Sequence, residues 1–471
     1  MKHYIMLFFG SLILFYMLVV IGTYLWMLLS ATFYLRKRRE LEKDSFEDVY
    51  VDAFFTKPVS IIVPAYNEEI GVVDTVRSLF SLRYPETEII IVNDGSTDKT
   101  LEVAIRALKM VPVDRVVKNA LSTKPIKGMY VSKIYPNCIL IDKENGGKAD
   151  ALNVGINVSR YPYFCSLDGD SILEANSLLR IMQPIMMADG EVIASGGNVR
   201  IANGVEMKLG HVVKNELSAN LLVVMQVIEY LRAFLMGRIA LSERNMVLVI
   251  SGAFSVFSKE WVIKAGGYAV STIGEDMELV VRLQRLLREE KVTKRIGFIA
   301  DPVCWTEAPE TLAVLHKQRR RWHQGLLESL WRHRIMIFNP SYGRIGMFAM
   351  PYFLFIECLS PVIELGGYFY VIYAYFTGGI YYEFSLLLIL LFVIYGTCFA
   401  LASVLFEMWS LKTFTSHKEV RRLTIAALSE LFWYRPLTLI WRIEGMIYFL
   451  RGKKVWGNMQ RVGLNKGEKT S

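Results

Sequence analysis

Cysteine motifs, histidine clusters and charge are all scarce in this 471-residue chain. Its five cysteines, Cys138, Cys165, Cys304, Cys358 and Cys398, are scattered, and no C-x-x-C pair occurs. That excludes the common zinc frameworks and a disulfide scaffold, and fits reduced thiols. His211, His316, His323 and His333 fall in no metal-ligand pattern. Charged residues make up only 21% of the chain, low for a soluble protein of this size. The glycine spacing of a phosphate-binding P-loop is missing too: Gly146-Gly147-Lys148 lacks the long interval, and Ala149 follows the lysine. What the chain has instead is apolar residues, 53% of the total, and a positive mean hydropathy. The net charge is +9, but the basic runs Arg36–Arg39, Lys317–Arg321 and Arg451–Lys454 adjoin apolar segments. That placement matches the cytoplasmic flanks of membrane helices rather than a nucleic-acid footprint.

Tyr4 to Tyr34 is apolar almost throughout and long enough to cross a bilayer. A signal peptide is the rival reading, but the basic start is limited to Lys2, the apolar core is too long, and no clear cleavage site follows. With Arg36–Arg39 just after this run, positive-inside logic predicts an external N-terminus and a cytosolic chain from residue 36 onward. Glu40 to Thr56 reads as a polar connector.

From Lys57 the texture changes to strands alternating with helices. Strands are predicted at Val59–Val63, Glu88–Val92 and Cys138–Ile141, and from Tyr163 onward. Helices are predicted over Val72–Leu82, from an N-cap at Ser96 or Thr97 to Lys109, from Asn145 to about Val158, and over Leu173–Met187. Met110 to Asn137 has little periodicity and reads as an irregular insertion. The alternation predicts an α/β, Rossmann-like domain with a mainly parallel sheet. Ligands of such sheets sit outside the carboxyl ends of the strands, where Asp94, Lys148, Asp168 and Asp170 are expected. Asp168-Gly169-Asp170, after the apolar run from Tyr163, has two readings: an ordinary Asp-Gly turn, or two carboxylates holding a hard divalent cation with room for phosphate oxygens.

Six motifs occur in order: Pro64-Ala65-Tyr66-Asn67-Glu68, Asn93-Asp94-Gly95-Ser96, Gly146 to Asn153, Asp168-Gly169-Asp170, Gly274-Glu275-Asp276 and Gln318-Arg319-Arg320-Arg321-Trp322. Over about residues 58 to 460 the chain resembles the processive, membrane-embedded family 2 glycosyltransferases, the group of cellulose, hyaluronan, chitin and poly-N-acetylglucosamine synthases. The resemblance implies a GT-A fold, with a cytosolic α/β domain inserted between transmembrane helices, a nucleotide-sugar donor, a saccharide acceptor, a divalent metal (Mg²⁺ or Mn²⁺) and inversion at the anomeric carbon. By analogy the donor is UDP-N-acetylglucosamine or UDP-glucose, in that order. The expected division is a transmembrane helix at 1–35, the GT-A domain at 57–309, an amphipathic interface helix with the Gln318–Trp322 motif at 310–345, and transmembrane or interfacial helices at 346–460. The expected location is the cell membrane, multi-pass, with the catalytic domain cytosolic. No appended regulatory domain of the cyclic-dinucleotide kind is seen, which leaves room for an accessory export or regulatory subunit.

A nucleotide-sugar transfer needs a place for the nucleoside. Tyr66 offers an aromatic face, while Glu68 and Asp94 offer acceptors; the resemblance gives Asp94 a nucleoside contact, and the plain alternative is an Asp-Gly-Ser turn. The resemblance assigns the metal to Asp170, with Asp168 nearer the nucleotide, and Lys148 adds positive charge by the donor diphosphate. Asp276, at the start of a predicted helix, matches the general base that takes the acceptor hydroxyl's proton; simple helix N-terminal capping is the alternative. Glu310 to Arg334 reads as an amphipathic helix on which Gln318, Arg321 and Trp322 cluster. The resemblance puts them at the donor–acceptor junction, with Trp322 as a stacking surface for a sugar and Arg321 as a phosphate partner. The alternative is a basic interfacial helix with Arg319 and Arg320 facing lipid headgroups. Leu217–Leu241 reads as an apolar packing helix, and Ser251-Gly252-Ala253 loosely matches a segment that contacts the polymer end.

Toward the C-terminus, Phe348–Phe376 and Phe384–Trp409 are each long enough to span a bilayer. The first carries Glu357 and Glu364 on one face, which points to a saccharide passage or to internal pairing. Leu423–Leu450 holds Glu430, Arg435, Arg442 and Glu444. A charge at the centre of a membrane helix costs roughly 2.5–3.5 kcal/mol, so the expectation is a packed span, or a re-entrant or interfacial pair broken near Pro436.

Overall fold

Runs such as Val59 to Val63 and Ile89 to Val92 are apolar on both faces of a strand, and they fold as strands covered on both sides. The computed structural model describes residues 2–41, 56–169, 171–188, 190–208, 211–376, 386–387, 390–391, 393–410 and 416–453. The chain divides into two units. A sheet unit comprises Arg39–Glu216 and Asn245–Ala308, and a helical unit comprises Met1–Arg38, Leu217–Arg244 and Pro309–Gly457. The stretch expected at 57–309 is therefore interrupted: Leu217–Arg244 belongs with the helices.

The sheet unit contains β1 (Val59–Ala65), β2 (Thr87–Asn93), β3 (Met110–Pro112), β4 (Ile126–Ser132), β5 (Cys138–Lys143), β6 (Tyr163–Leu167), β7 (Ile172–Leu173), β8 (Val192–Ile201), β9 (Val205–Lys208), β10 (His211–Asn215), β11 (Phe254–Ser258) and β12 (Arg295–Thr306). Ten of them form one sheet in the order β3-β4-β5-β2-β1-β6-β11-β8-β12-β7, and β9 and β10 form a separate antiparallel pair. The expected mainly parallel sheet is in fact mixed. Strands β5, β2, β1 and β6 are mutually parallel, and so are β8 and β12. Antiparallel contacts enter through β11, β7 and the β3–β4 pair. The β3–β4 pair lies inside Met110–Asn137, the stretch expected to be irregular. Strand β4 alternates half-covered residues in place of a clean apolar run, because it lies toward the edge of the sheet.

Helices Val72–Leu79, Thr100–Ala107, Lys148–Val158 and Ser177–Met187 fall close to their expected positions. The N-cap expectation at Ser96 or Thr97 does not hold: the helix begins at Thr100, whose N–H and hydroxyl donate to Asp98 Oδ1 at 3.0 and 2.5 Å. Ser96 and Thr97 are committed elsewhere, receiving and giving hydrogen bonds to Asn67 across the loops that follow β1 and β2.

In the helical unit, Lys2–Leu41 is a continuous helix with exposed apolar side chains along it, among them Phe8, Leu12, Phe15, Leu25 and Phe33. Among the described residues it is the one unbroken helix long and apolar enough to cross a membrane; the pair Ile345–Cys358 and Ser360–Tyr373, bent by 43°, qualifies when taken together, and Ile394–Trp409 is shorter. Part of the span expected at Phe384–Trp409 lies outside the described residues. The stretch 423–450 forms parts of two helices, His417–Ser429 and Tyr434–Leu450, that break just before Pro436. Pro436 sits in the first turn, where its missing N–H removes no helical bond. Each charge expected to be costly there has a partner within the unit. Glu430 takes Arg232 at 2.9 Å, Arg435 holds Glu364 with two bonds of 2.7 and 2.8 Å, Arg442 donates to the Glu357 carbonyl, and Glu444 takes Arg320 at 2.9 Å together with His316. Glu357 also accepts from the Tyr352 hydroxyl at 2.6 Å. Internal pairing, one of the two readings of Glu357 and Glu364, is therefore realised.

Candidate active site

Because β1, β2, β5 and β6 run parallel, their carboxyl ends open on one edge. Tyr66 and Glu68 follow β1, Asp94 follows β2, Lys143 ends β5 and Asp168 follows β6. Strand β11 runs antiparallel to β6 with Phe254 opposite Leu167, so the residues just before β11 arrive at the same edge. There the Asp168 N–H donates to the Ala253 carbonyl at 3.2 Å.

Asp94 is buried, and its carboxylate is fully engaged. It accepts from Lys143 Nζ at 2.5 Å, from Gly146 N at 3.0 Å and from Gly147 N at 2.7 Å. Lys143 is itself wholly buried and bridges to Asp150 at 2.7 Å. One ammonium thus ties two buried carboxylates from β2 and from the helix that starts at Lys148. Gly147 has φ +84°, a left-handed conformation that glycine adopts without penalty, and this turns its N–H toward Asp94. A side chain at Gly146 would run into the Asp150 carboxylate. The Asp94 carboxylate thus holds the loop before Lys148, while the start of the helix that follows Asp94 is held by Asp98.

Lys148, the first residue of that helix, forms an ion pair with Asp168 and lies 3.7 Å from Glu275. Burial acts to lower the pKa of its ammonium, but Asp168, Glu275 and Asp276 outweigh burial and hold it above the ordinary lysine value. Lys148 also reaches the Gly252 carbonyl at 3.4 Å, while the Gly252 N–H donates to Asp276 Oδ2 at 3.2 Å. Asp276 is the second residue of the helix Glu275–Glu289, as expected, and it also accepts from the Met277 N–H at 2.8 Å. Gly252 thus links the candidate base to the candidate diphosphate lysine. Any Cβ there would sit 2.9 Å from Asp276 Oδ2.

At the near end of β1, Tyr66 is 45% exposed, which leaves its ring open for stacking. Glu68 is half-buried, and its backbone N–H is held by the Thr100 hydroxyl at 2.8 Å. The Gly169 carbonyl accepts from Thr75 at 2.7 Å, fixing the turn after Asp168. Asp170 lies outside the described residues. Among the described residues no group of three or more metal-ligating side chains gathers. The Asp168 carboxylate is partly exposed at a strand end, where it is paired with Lys148.

Gln318, Arg321 and Trp322 belong to the helical unit, on the helix Leu312–Arg332. Gln318 is buried, and Trp322 is 44% exposed. Arg319 and Arg320 do not face outward as a headgroup-binding pair would: Arg319 is buried against Glu229 at 2.6 Å, and Arg320 pairs with Glu444 and lies over the Tyr448 ring. Sequence reasoning missed Lys143, which reads as a surface lysine between Asp142 and Glu144, and Glu275, which reads as a helix-start carboxylate. The one signal for Lys143 was its place at the end of an otherwise buried strand.

Residues 60–264 match the family model of glycosyl transferase family 2, and residues 163–406, over half of the chain, match that of glycosyl transferase family group 2. Over 310 residues the chain is 31% identical to poly-beta-1,6-N-acetyl-D-glucosamine synthase of Staphylococcus aureus strain COL, a match covering 65% of this chain and 63% of that protein. A relative of the same name from Staphylococcus epidermidis is 31% identical over 280 residues, covering 58% of this chain and 56% of its own length. The chain thus spans less than two thirds of the length of these curated relatives. Among solved structures, the mannosyltransferase PcManGT of Pyrobaculum calidifontis, in complex with GDP-Man and Mn²⁺, is similar with a TM-score of 0.53 at 16% identity, covering 93% of this chain and 99% of that one. That likeness is one of fold. With a family model matched over more than half its length and a GT-A sheet unit carrying the ordered motifs, the chain belongs to the family 2 glycosyltransferases.

Proposed function

We propose that this protein moves a sugar from a UDP-sugar to a growing saccharide with inversion, at the cytosolic face of the cell membrane, and does so processively with the product passing outward. UDP-N-acetylglucosamine is the favoured donor, on the 31% identity to poly-N-acetylglucosamine synthases; UDP-glucose is second. The reading rests on one observation: Lys148, Asp168 and Glu275 adjoin one another, and Gly252 links them to Asp276, at the carboxyl edge of parallel strands.

In this reading Tyr66 and Glu68 receive the nucleoside, and Asp94 serves it by fixing the Gly146–Gly147 loop. Asp168 and Asp170 would hold Mg²⁺ or Mn²⁺, oxygen ligands being suited to either. When bound, such a cation supplies Lewis-acid neutralisation of the diphosphate leaving group. Lys148, kept protonated by its carboxylate neighbours, adds a second positive charge where negative charge develops. Asp276 accepts the proton of the acceptor hydroxyl as that oxygen bonds to the anomeric carbon and the bond to the diphosphate breaks. Gly252 N–H orients the Asp276 carboxylate for this. Gln318 and Trp322 take the acceptor saccharide, and Arg321 takes phosphate charge.

The membrane part of the proposal is supported by the apolar helix Phe8–Lys37 with its basic end, and by the bent pair Ile345–Tyr373. It assigns 1–35 and 346–460 to the membrane, 310–345 to its surface and 57–309 to the donor domain, from which Leu217–Arg244 departs. The test is a donor screen with detergent-solubilised protein and Mg²⁺ or Mn²⁺, following nucleotide release and product length. Release with UDP-N-acetylglucosamine and long products is expected. Products extended by one sugar only would replace the polymer reading with transfer to a lipid-linked or short acceptor, and release with no UDP-sugar would refute both.

A further inference from the structure

The excursion Leu217–Arg244 leaves the sheet unit between β10 and β11. Its helix Leu221–Tyr230, capped by Asn220, whose side chain accepts from Leu222 N at 2.9 Å, carries one acidic residue, Glu229. The Glu229 carboxylate accepts from Arg319 Nη2 at 2.6 Å and from the Tyr434 hydroxyl at 2.7 Å. Burial alone would raise its pKa, but Arg319 and Tyr434 outweigh burial and hold it below the usual glutamate value, so it stays ionised. Arg319 is 3% exposed. Its Nη1 donates to Gln318 Oε1 at 2.6 Å, and its guanidinium lies 4.4 Å from the centre of the Trp322 ring. The Tyr230 ring, next to Glu229, is 6.4 Å from that of Trp322.

We propose that Glu229 is a positioning residue for the acceptor: through Arg319 it fixes the plane of the Trp322 ring and the orientation of the Gln318 amide. This rests on the reading of Gln318 and Trp322 as the acceptor subsite. A guanidinium suits the task because one rigid fork can serve a carboxylate and an amide oxygen with separate nitrogens while its face backs an indole. Arginine can only donate, so Gln318 must turn its oxygen inward, leaving its amide nitrogen as the group to meet a sugar hydroxyl. The chain's detour into the helical unit thereby has a function: it delivers the anion that locks Arg319.

The test uses full-length protein in detergent and an oligosaccharide acceptor of defined length. Glu229→Gln keeps the shape and the Tyr434 contact but removes the charge. The acceptor KM should rise about tenfold, while kcat at saturating acceptor stays within about twofold, since loosened orientation costs binding geometry rather than the base. Arg319→Lys, which keeps charge but loses the fork, should do the same. Because both act through one link, the double variant should cost no more than the worse single. Tyr434→Phe provides a milder change in the same direction if Glu229→Gln fails to fold. An unchanged acceptor KM in Glu229→Gln, beside a large rise in Trp322→Ala, would overturn the proposal and leave the acceptor subsite standing. If Trp322→Ala itself leaves the acceptor KM unchanged, the subsite reading falls and the positioning role with it.

Discussion

The carboxyl edge of the sheet and the helical unit handle charge with different cations. At the sheet edge, lysines do the work: Lys143 sits between Asp94 and Asp150, and Lys148 between Asp168 and Glu275. In the helical unit, arginines do it: Arg232 with Glu430, Arg435 with Glu364, Arg319 with Glu229 and Arg320 with Glu444. An ammonium is a compact charge on a flexible stem and can be shared with an incoming phosphate; a guanidinium holds its partner in a fixed plane. Lys148, whose side chain is 21% exposed, is the shareable kind. Arg435, with two bonds to one carboxylate, is the fixed kind. Charge is therefore exchangeable at the proposed donor site and locked in the helices.

Lys143 is the sharpest point at which to break this contrast, because it is a lysine in a locked position. Lys143→Met strands two buried carboxylates and should cost about 4–5 kcal/mol of stability, near the top of the range for breaking a buried pair. Denaturant unfolding of the detergent-solubilised protein reads this directly, and a loss under about 1 kcal/mol would mean that Asp94 and Asp150 do not depend on it. Next in size, Arg435→Met should cost about 3–4 kcal/mol, whereas Glu364→Leu with Arg435→Met should recover most of that loss, since the pair removed together leaves no unpaired charge. A double variant as unstable as the single would mean that Arg435 does more than neutralise Glu364. Smallest is Lys148→Met, expected to lower turnover about 100-fold (about 2.7 kcal/mol) with little change in stability. Equal losses of stability in Lys148→Met and Lys143→Met would erase the distinction between shareable and locked lysines.

Much of the sheet was legible because its central strands are covered on both faces and so read as unbroken apolar runs, with their polar residues gathered at the carboxyl ends. Asp276 at a helix start was legible for the same local reason. The β3–β4 pair was not, since β4, next to the short edge strand β3, lacks a continuous apolar face. Nor were Lys143, Glu229 and the roles of Arg319 and Arg320. Each of these is defined by a partner distant in sequence: Asp94 lies 49 residues from Lys143, and Glu229 lies 90 from Arg319. Local pattern assigns such side chains to a solvated surface or to plain packing, and only the fold reveals the pair.

Sugar transfer by purified Asp276→Asn, set beside the wild type with labelled UDP-N-acetylglucosamine and Mg²⁺ or Mn²⁺, tests the proposed chemistry most directly. The asparagine oxygen can still accept from Gly252 N–H, so the fold should survive while the base is lost. Transfer should fall by about 10²–10⁴-fold with the melting temperature unchanged. Wild-type transfer by Asp276→Asn would show that the acceptor's proton goes elsewhere and that this edge of the sheet is not where the glycosidic bond is made.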